Sequence, residues 1–204
     1  WAYREHQGHV DQAVVAYRRI AGSATNATVK KQAEDLAWFH ESRNNSLLSL
    51  YCRNETRIIL DGRPLVIVGH PAKVVVVRVQ LEPGHHALVL QAKPERYPDW
   101  VLAHLRTHHG TVLTHPNWRI SYTYKGSWQR PGYDDSGWSV VGGHGIKGPP
   151  EVPFVYIEPN AYAFTISEAD GLRARPDVRQ EGKSFVVRHE FYLNGDSELH
   201  GAGL

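Results

Sequence analysis

Asp134 and Asp135 stand side by side in the stretch Trp128-Gln-Arg-Pro-Gly-Tyr-Asp-Asp-Ser-Gly-Trp138, and a carboxylate pair is the first combination that invites an acid–base reading. Cleavage of a glycosidic bond needs two carboxyl groups that flank the bond from opposite sides. Adjacent residues point in diverging directions, so a structural role in a turn is expected instead, with the side-chain oxygens accepting from backbone N–H groups. The thirteen histidines include His85-His86 and His108-His109. Neither pair has a ligand spacing such as H-E-x-x-H, so solvated histidines and no metal are expected. Cys52 is the only cysteine, which excludes an internal disulfide. It reads as an idle buried thiol or an intermolecular bridge, since Tyr51 and Arg53 supply no base to activate it. No nucleophile elbow, P-loop or dinucleotide fingerprint is present. The expectation is a chain with no catalytic residue and no cofactor.

The aromatic residues offer a different chemistry. Six Trp and ten Tyr are available, and aromatic faces stack on the apolar side of a pyranose while polar neighbours bind its hydroxyls. Tyr97, Asp99 and Trp100, in the proline-rich loop Lys93–Asp99 and its exit, form one candidate platform; Trp128 with Gln129 and Arg130 forms another. The competing reading of each is packing or loop anchoring. Trp118 and Trp138 are expected between two sheets, with Leu60, Val76, Val89 and Leu102. Three Asn-X-Ser/Thr sequons, at Asn26, Asn44 and Asn54, are glycosylation candidates if the source is eukaryotic and secretory, and carry no meaning in a bacterial one.

Bulk properties exclude some partners. Among 204 residues, 41% are hydrophobic and 22% charged, and the net charge of +2 comes with no run of Lys or Arg longer than two. No clustered nucleic-acid footprint is visible, and no apolar stretch is long enough for membrane insertion as a helix. The chain begins with Trp1 and contains no Met, so a processed or trimmed product, or a part of something longer, is expected. Any targeting signal would have been lost with the missing piece.

These residues must be positioned by two kinds of element. Residues 1–45 read as a helical hairpin: Val10, Ala13, Val14 and Tyr17 share one helical face, and Val29, Ala33, Leu36 and Ala37 share another from Ala27 to His40. Thr25 or Asn26 is the expected N-cap of the second helix. From Ser46 onward, short β-rich runs alternate with turns. The runs are Arg57–Leu60, Pro64–Val68, Lys73–Leu81, His86–Ala92, Trp100–Arg106, Trp118–Thr123, Trp138–Val141, Phe154–Ile157, Ala161–Ile166 and Ser184–Leu193. Asp61-Gly62, Pro83-Gly84, His109-Gly110 and Pro131-Gly132 fall between runs as turns. Such spacing predicts a mainly β fold, a sandwich or barrel. The unbroken Val74–Val77 predicts a strand covered on both faces. Residues 46–167 form the sandwich, 168–183 a linker or loop, and 184–204 a terminal strand and tail.

Two resemblances follow from these residues. Gly8-His-Val-Asp-Gln-Ala13-Val-Val-Ala-Tyr17 resembles the interhelical turn and second helix of a tetratricopeptide repeat, where Gly permits the turn and Ala a close helix approach. A single repeat cannot bury its own apolar face, so the helices are expected to pack on the sandwich, on a neighbouring subunit or on further repeats. Ile59-Leu-Asp-Gly-Arg-Pro-Leu65, then Leu81-Glu-Pro-Gly-His-His-Ala-Leu-Val-Leu-Gln-Ala92, then Trp118-Arg-Ile-Ser121 with the Asp-Asp-Ser-Gly-Trp138 element, resemble the galactose-binding-like jelly roll appended to α-rhamnosidases and other glycoside hydrolases. The resemblance covers about residues 55–166. It implies a jelly-roll β-sandwich, with Asp134, Asp135 and Ser136 capping backbone groups and Trp138 closing into the core. The family's opening strand, aromatic-Arg-x-x-Phe, has its nearest counterpart at Phe185-Val-Val-Arg-His-Glu-Phe191. That segment closes its own sandwich, opens a second one, or is donated to a neighbour. Two functions are therefore expected: an extracellular, non-catalytic module binding a glycan or polysaccharide, or a structural subunit that binds copies of itself in a filament through strand donation and helix packing.

Overall fold

A computed structural model describes residues 2–52, 55–68, 75–92, 101–114, 117–141, 146–147, 170–171 and 184–195, a few of them in backbone only. Its elements in chain order are α1 (Ala2–Ser23), α2 (Ala27–Glu41), β1 (Asn45–Cys52), β2 (Thr56–Leu60), β3 (Arg63–Val68), β4 (Val75–Gln80), β5 (Gly84–Ala92), β6 (Val101–Thr107), β7 (Gly110–Leu113), β8 (Arg119–Ser121), β9 (Ser139–Val140), β10 (Ile146–Lys147), β11 (Asp170–Gly171) and β12 (Phe185–Leu193).

The helical hairpin turns at residues 24–26. Asn26 is the cap, its Oδ1 accepting from the N–H groups of Thr28 at 2.8 Å and Val29 at 3.2 Å, which satisfies two of the donors left over at a helix start. Gly8 lies inside α1, not in a turn. The stripe on α2 also shifts: Ala33, Ala37 and Phe39 are buried while Val29 is 42% exposed, because it sits in the first turn, ahead of the part of the helix that reaches sheet A.

Two antiparallel sheets carry most of the strands. Sheet A has the order β4-β1-β6-β7 and sheet B the order β3-β2-β5-β12-β8-β9. Alternation along each strand divides the side chains between faces. Leu48, Leu50, Val79, Ala103 and Leu105 of sheet A meet Ile58, Leu60, Leu88, Leu90, Ile120, Phe185 and Val187 of sheet B in one core that includes Trp118. The fold is mainly β, two antiparallel sheets preceded by two helices.

The second face of sheet A is covered by α2. Phe39, Leu36 and Trp38 pack there with Leu47 and Val76, so β4 is covered on both sides as its run of valines predicts, although as an edge strand it leaves Val75, Val76 and Val77 only half-buried. Asp35 is fully buried beneath α2, and Arg78 of β4 donates Nε to its Oδ1 at 2.7 Å. A buried carboxylate is tolerated only when paired in this way. The helices thus pack on their own sandwich, the first of the expected arrangements.

β12 pairs with β5 over Phe185–Leu193 and with β8 over Val186–Arg188, which places it in the middle of its own sheet. The segment closes this chain's own sandwich, the first of the three expected placements. Its backbone groups bond on both sides, so β5 and β8 present no edge to be augmented at this position. Asp170–Gly171, expected in a linker, form β11 and pair with β10.

The second face of sheet B corrects two expectations. Ile59, Val89 and Val186 point away from the sandwich core and are covered by the loop after β8, through Trp128 and the partly buried Tyr124, Tyr133 and Trp138. Val89 and Trp138 are therefore not between the sheets; they belong to a smaller cluster outside sheet B. Val76 likewise faces α2. Trp118, 1% exposed, and Leu60 lie in the core as expected, and the Leu102 side chain lies outside the described residues.

Candidate functional site

The loop over sheet B is organised by a charge. Arg188 of β12 is 1% exposed. Its Nε donates to the Trp128 carbonyl at 3.0 Å and Nη2 to the Arg130 carbonyl at 3.0 Å. Its other bonds go to the carboxylates of Asp135 and Glu190, and the guanidinium lies 5.6 Å from the Tyr133 ring centre. Charge-assisted bonds of this kind are the strong ones. Burial raises the Glu190 pKa, but Arg188, the Gly132 N–H and His85 outweigh it and hold the group below its ordinary value. Asp134 accepts from the Ser136 N–H at 3.0 Å, and hydrogen bonds from Ser136 lower its pKa. The Trp138 N–H donates to the Asp135 carbonyl at 2.9 Å, which closes the turn. Both carboxylates hold the turn: Asp134 through Ser136, and Asp135 through the Arg188 guanidinium, which it shares with Glu190.

Trp128 is corrected by the same loop. It is 6% exposed, packed on Ile59, Val89 and Val186 with Tyr124 tilted against it at 4.8 Å, so it cannot serve as an exposed platform. Arg130 is exposed, and a side chain at Gly62, which has φ +80°, would press on its Cγ at 3.2 Å. Tyr97, Asp99 and Trp100 lie outside the described residues, as does Asn54. Asn26 is exposed at the start of α2, and Asn44 is half-buried.

His86 and His108 are anchors rather than solvated loop residues, while His85 is bonded but exposed. His85 bonds Glu190 at 2.8 Å. His86 bonds Asp61 at 2.7 Å and the Glu82 carbonyl at 2.7 Å, tying the Asp61-Gly62 turn to β5. His108 Nε2 donates to the Phe39 carbonyl at 2.7 Å while its ring stacks on Phe39 at 4.1 Å.

A groove of about 400 Å³ opens between the end of β12 and the β7 edge. Aromatic rings run along its floor: His189 stacks on Trp118 at 4.9 Å, Phe191 follows at 6.4 Å from His189, and Tyr192, 67% exposed, stands at the rim. His109, Thr111 and Asn117 add polar groups, and among the described residues no Asp, Glu, Lys or Arg lines it. Among the described residues, the buried Trp118 Nε1 and His109 Nδ1 have no hydrogen-bond partner. An indole N–H is a donor only, and leaving it unpaired in the interior is costly.

Sequence reasoning missed this groove. Its residues come from 109–113, 117–118, 189 and 191–193, brought together by the placement of β12 beside β8. The one local signal was His189-x-Phe191, two aromatic rings at the spacing that puts both on one face of a strand. No protein-family model matches the chain, and no curated protein and no solved structure is significantly similar to it.

Proposed function

We propose that the chain is a non-catalytic carbohydrate-binding accessory module of the galactose-binding-like jelly-roll type, acting outside the cell, with the β7–β12 groove as its ligand site. The observation that carries this reading is the lining itself: aromatic rings beside small polar groups, with no ionised carboxylate or guanidinium among the described residues that line it. Neutral sugars present that combination in reverse, an apolar ring face and a rim of hydroxyls. The engagement of Asp134 and Asp135 in the turn supports the absence of hydrolysis, because both are already used in holding backbone and Arg188.

This site stands in place of the Trp128 and Arg130 platform expected from sequence and is built on His189, Phe191 and Tyr192; the other expected platform, Tyr97, Asp99 and Trp100, lies outside the described residues. A glycan array probed with the purified chain tests the proposal. Binding to neutral oligosaccharides, reduced by Tyr192→Ala and Thr111→Ala but not by Arg130→Ala, is the expected result. No binding to any glycan, or binding abolished only by Arg130→Ala, contradicts it.

A further inference from the structure

The turn between β6 and β7 joins two separate parts of the molecule. His108 faces the helical hairpin, bonding the Phe39 carbonyl at 2.7 Å and stacking on Phe39, while its neighbour His109 lines the groove. The turn is stiff: the Thr107 hydroxyl donates to the Gly110 carbonyl at 2.8 Å and accepts from the His109 N–H at 3.0 Å. Gly110 has φ +137°, a conformation open to glycine. Displacement of His108 therefore displaces His109.

Among the described residues, the charged and titratable groups that act on His108 share one sign. From α2 comes His40, edge-on at 5.8 Å, which in turn stacks on Tyr17 of α1 at 5.8 Å. From β6 comes Arg106, its guanidinium 5.0 Å from the Phe39 ring centre. Arg43, after α2, and His109 add to the repulsion that a protonated His108 meets. The carboxylate next to His40 in sequence, Glu41, is bonded to Arg18 at 2.8 Å.

We propose that His40 and His108 form an acid-released latch, which holds the helical hairpin on sheet A while both rings are neutral and loosens the groove-lining turn when they are protonated. Burial, then the neighbouring cations, depresses both groups, the Phe39 carbonyl opposing this only in part at His108. The sign follows from linkage: a depressed histidine binds its proton more readily once released, so the latch is complete above about pH 6.5, the unperturbed value, and weakens as pH falls below it.

Hydrogen exchange of the whole chain at pH 7.5 and pH 5.0, corrected for the intrinsic pH dependence of exchange, tests this without any ligand, and so independently of the sugar-binding reading. At pH 5.0 the amides of α2 and of residues 108–113 are expected to lose protection by at least about threefold, with β5 unchanged as the internal reference. His108→Phe keeps the stack on Phe39 and removes the titration, and most of the loss is expected to vanish in it. His40→Phe, which keeps a ring against Tyr17, is read in parallel should the first variant fold poorly. Protection of α2 that does not depend on pH, or that falls equally in both variants, overturns the latch. Loss in α2 without loss at residues 108–113 overturns its link to the groove.

Discussion

Arg188 and Asp135, 53 residues apart in sequence, are joined by a side-chain ion pair that fastens the loop over sheet B to the central strand of that sheet. The Asp-Asp-Ser turn is thereby held from beneath by a buried charge as well as by its own hydrogen bonds. Trp128 is positioned by the same guanidinium, through its carbonyl.

Removal of that charge is expected to be severe. Arg188→Met leaves the Asp135 and Glu190 carboxylates without their cation and should cost about 3–5 kcal/mol, read from denaturant unfolding. Asp134→Ala, at an exposed residue, should lower stability far less. Equal effects of the two substitutions would show that Arg188 does not organise the loop.

The tryptophans should separate by layer. Trp118→Ala empties the core between the sheets and is expected to cost about 3–5 kcal/mol. Trp138, only half-buried outside sheet B, should cost clearly less when replaced by Ala. A thermal melt of each variant measures the difference, and a larger loss at Trp138 would place the main core elsewhere.

These contrasts show what the sequence discloses and what it conceals. The Asp61-Gly62 turn was legible because its backbone, φ 52° and 80°, asks for those residue types. The Asn26 cap was legible for a similar local reason. β1 was not recognised as a strand, although it is central to sheet A. With Leu47 beneath α2, Leu48 and Leu50 in the core, and Ser46 and Ser49 buried among them, Asn45–Leu50 shows no polar–apolar alternation. The layer of each tryptophan was hidden too, since a turn motif fixes local geometry but not which face of a sheet the turn folds over. The groove depended on pairing across more than sixty residues, between β12 and β8.

Truncation after Asp177 removes β12 from between β5 and β8 and exposes both. The shortened chain is expected to be unfolded or aggregated, with no cooperative thermal transition. A soluble, cooperatively folding product would return β12 to the role of a donated strand.

Acid should weaken the loop as well as the latch. Glu190 is held below its ordinary pKa, so its contribution to stability is complete above that ordinary value, near 4.3, and is lost as pH falls through the depressed folded value. Denaturant unfolding of the chain and of Glu190→Gln between pH 6 and pH 3 should converge toward the acid end. A gap that stays constant across that range would contradict the assignment.

Sugar binding at the β7–β12 groove is tested most directly by titration calorimetry of the intact chain and of Tyr192→Ala against a neutral oligosaccharide selected on the array. Tyr192 is exposed and lines the groove, so the substitution should leave the melting temperature nearly unchanged. It should weaken binding by about tenfold, the equivalent of about 1.4 kcal/mol for one aromatic contact. Unchanged affinity in a folded Tyr192→Ala chain would contradict the placement of the site.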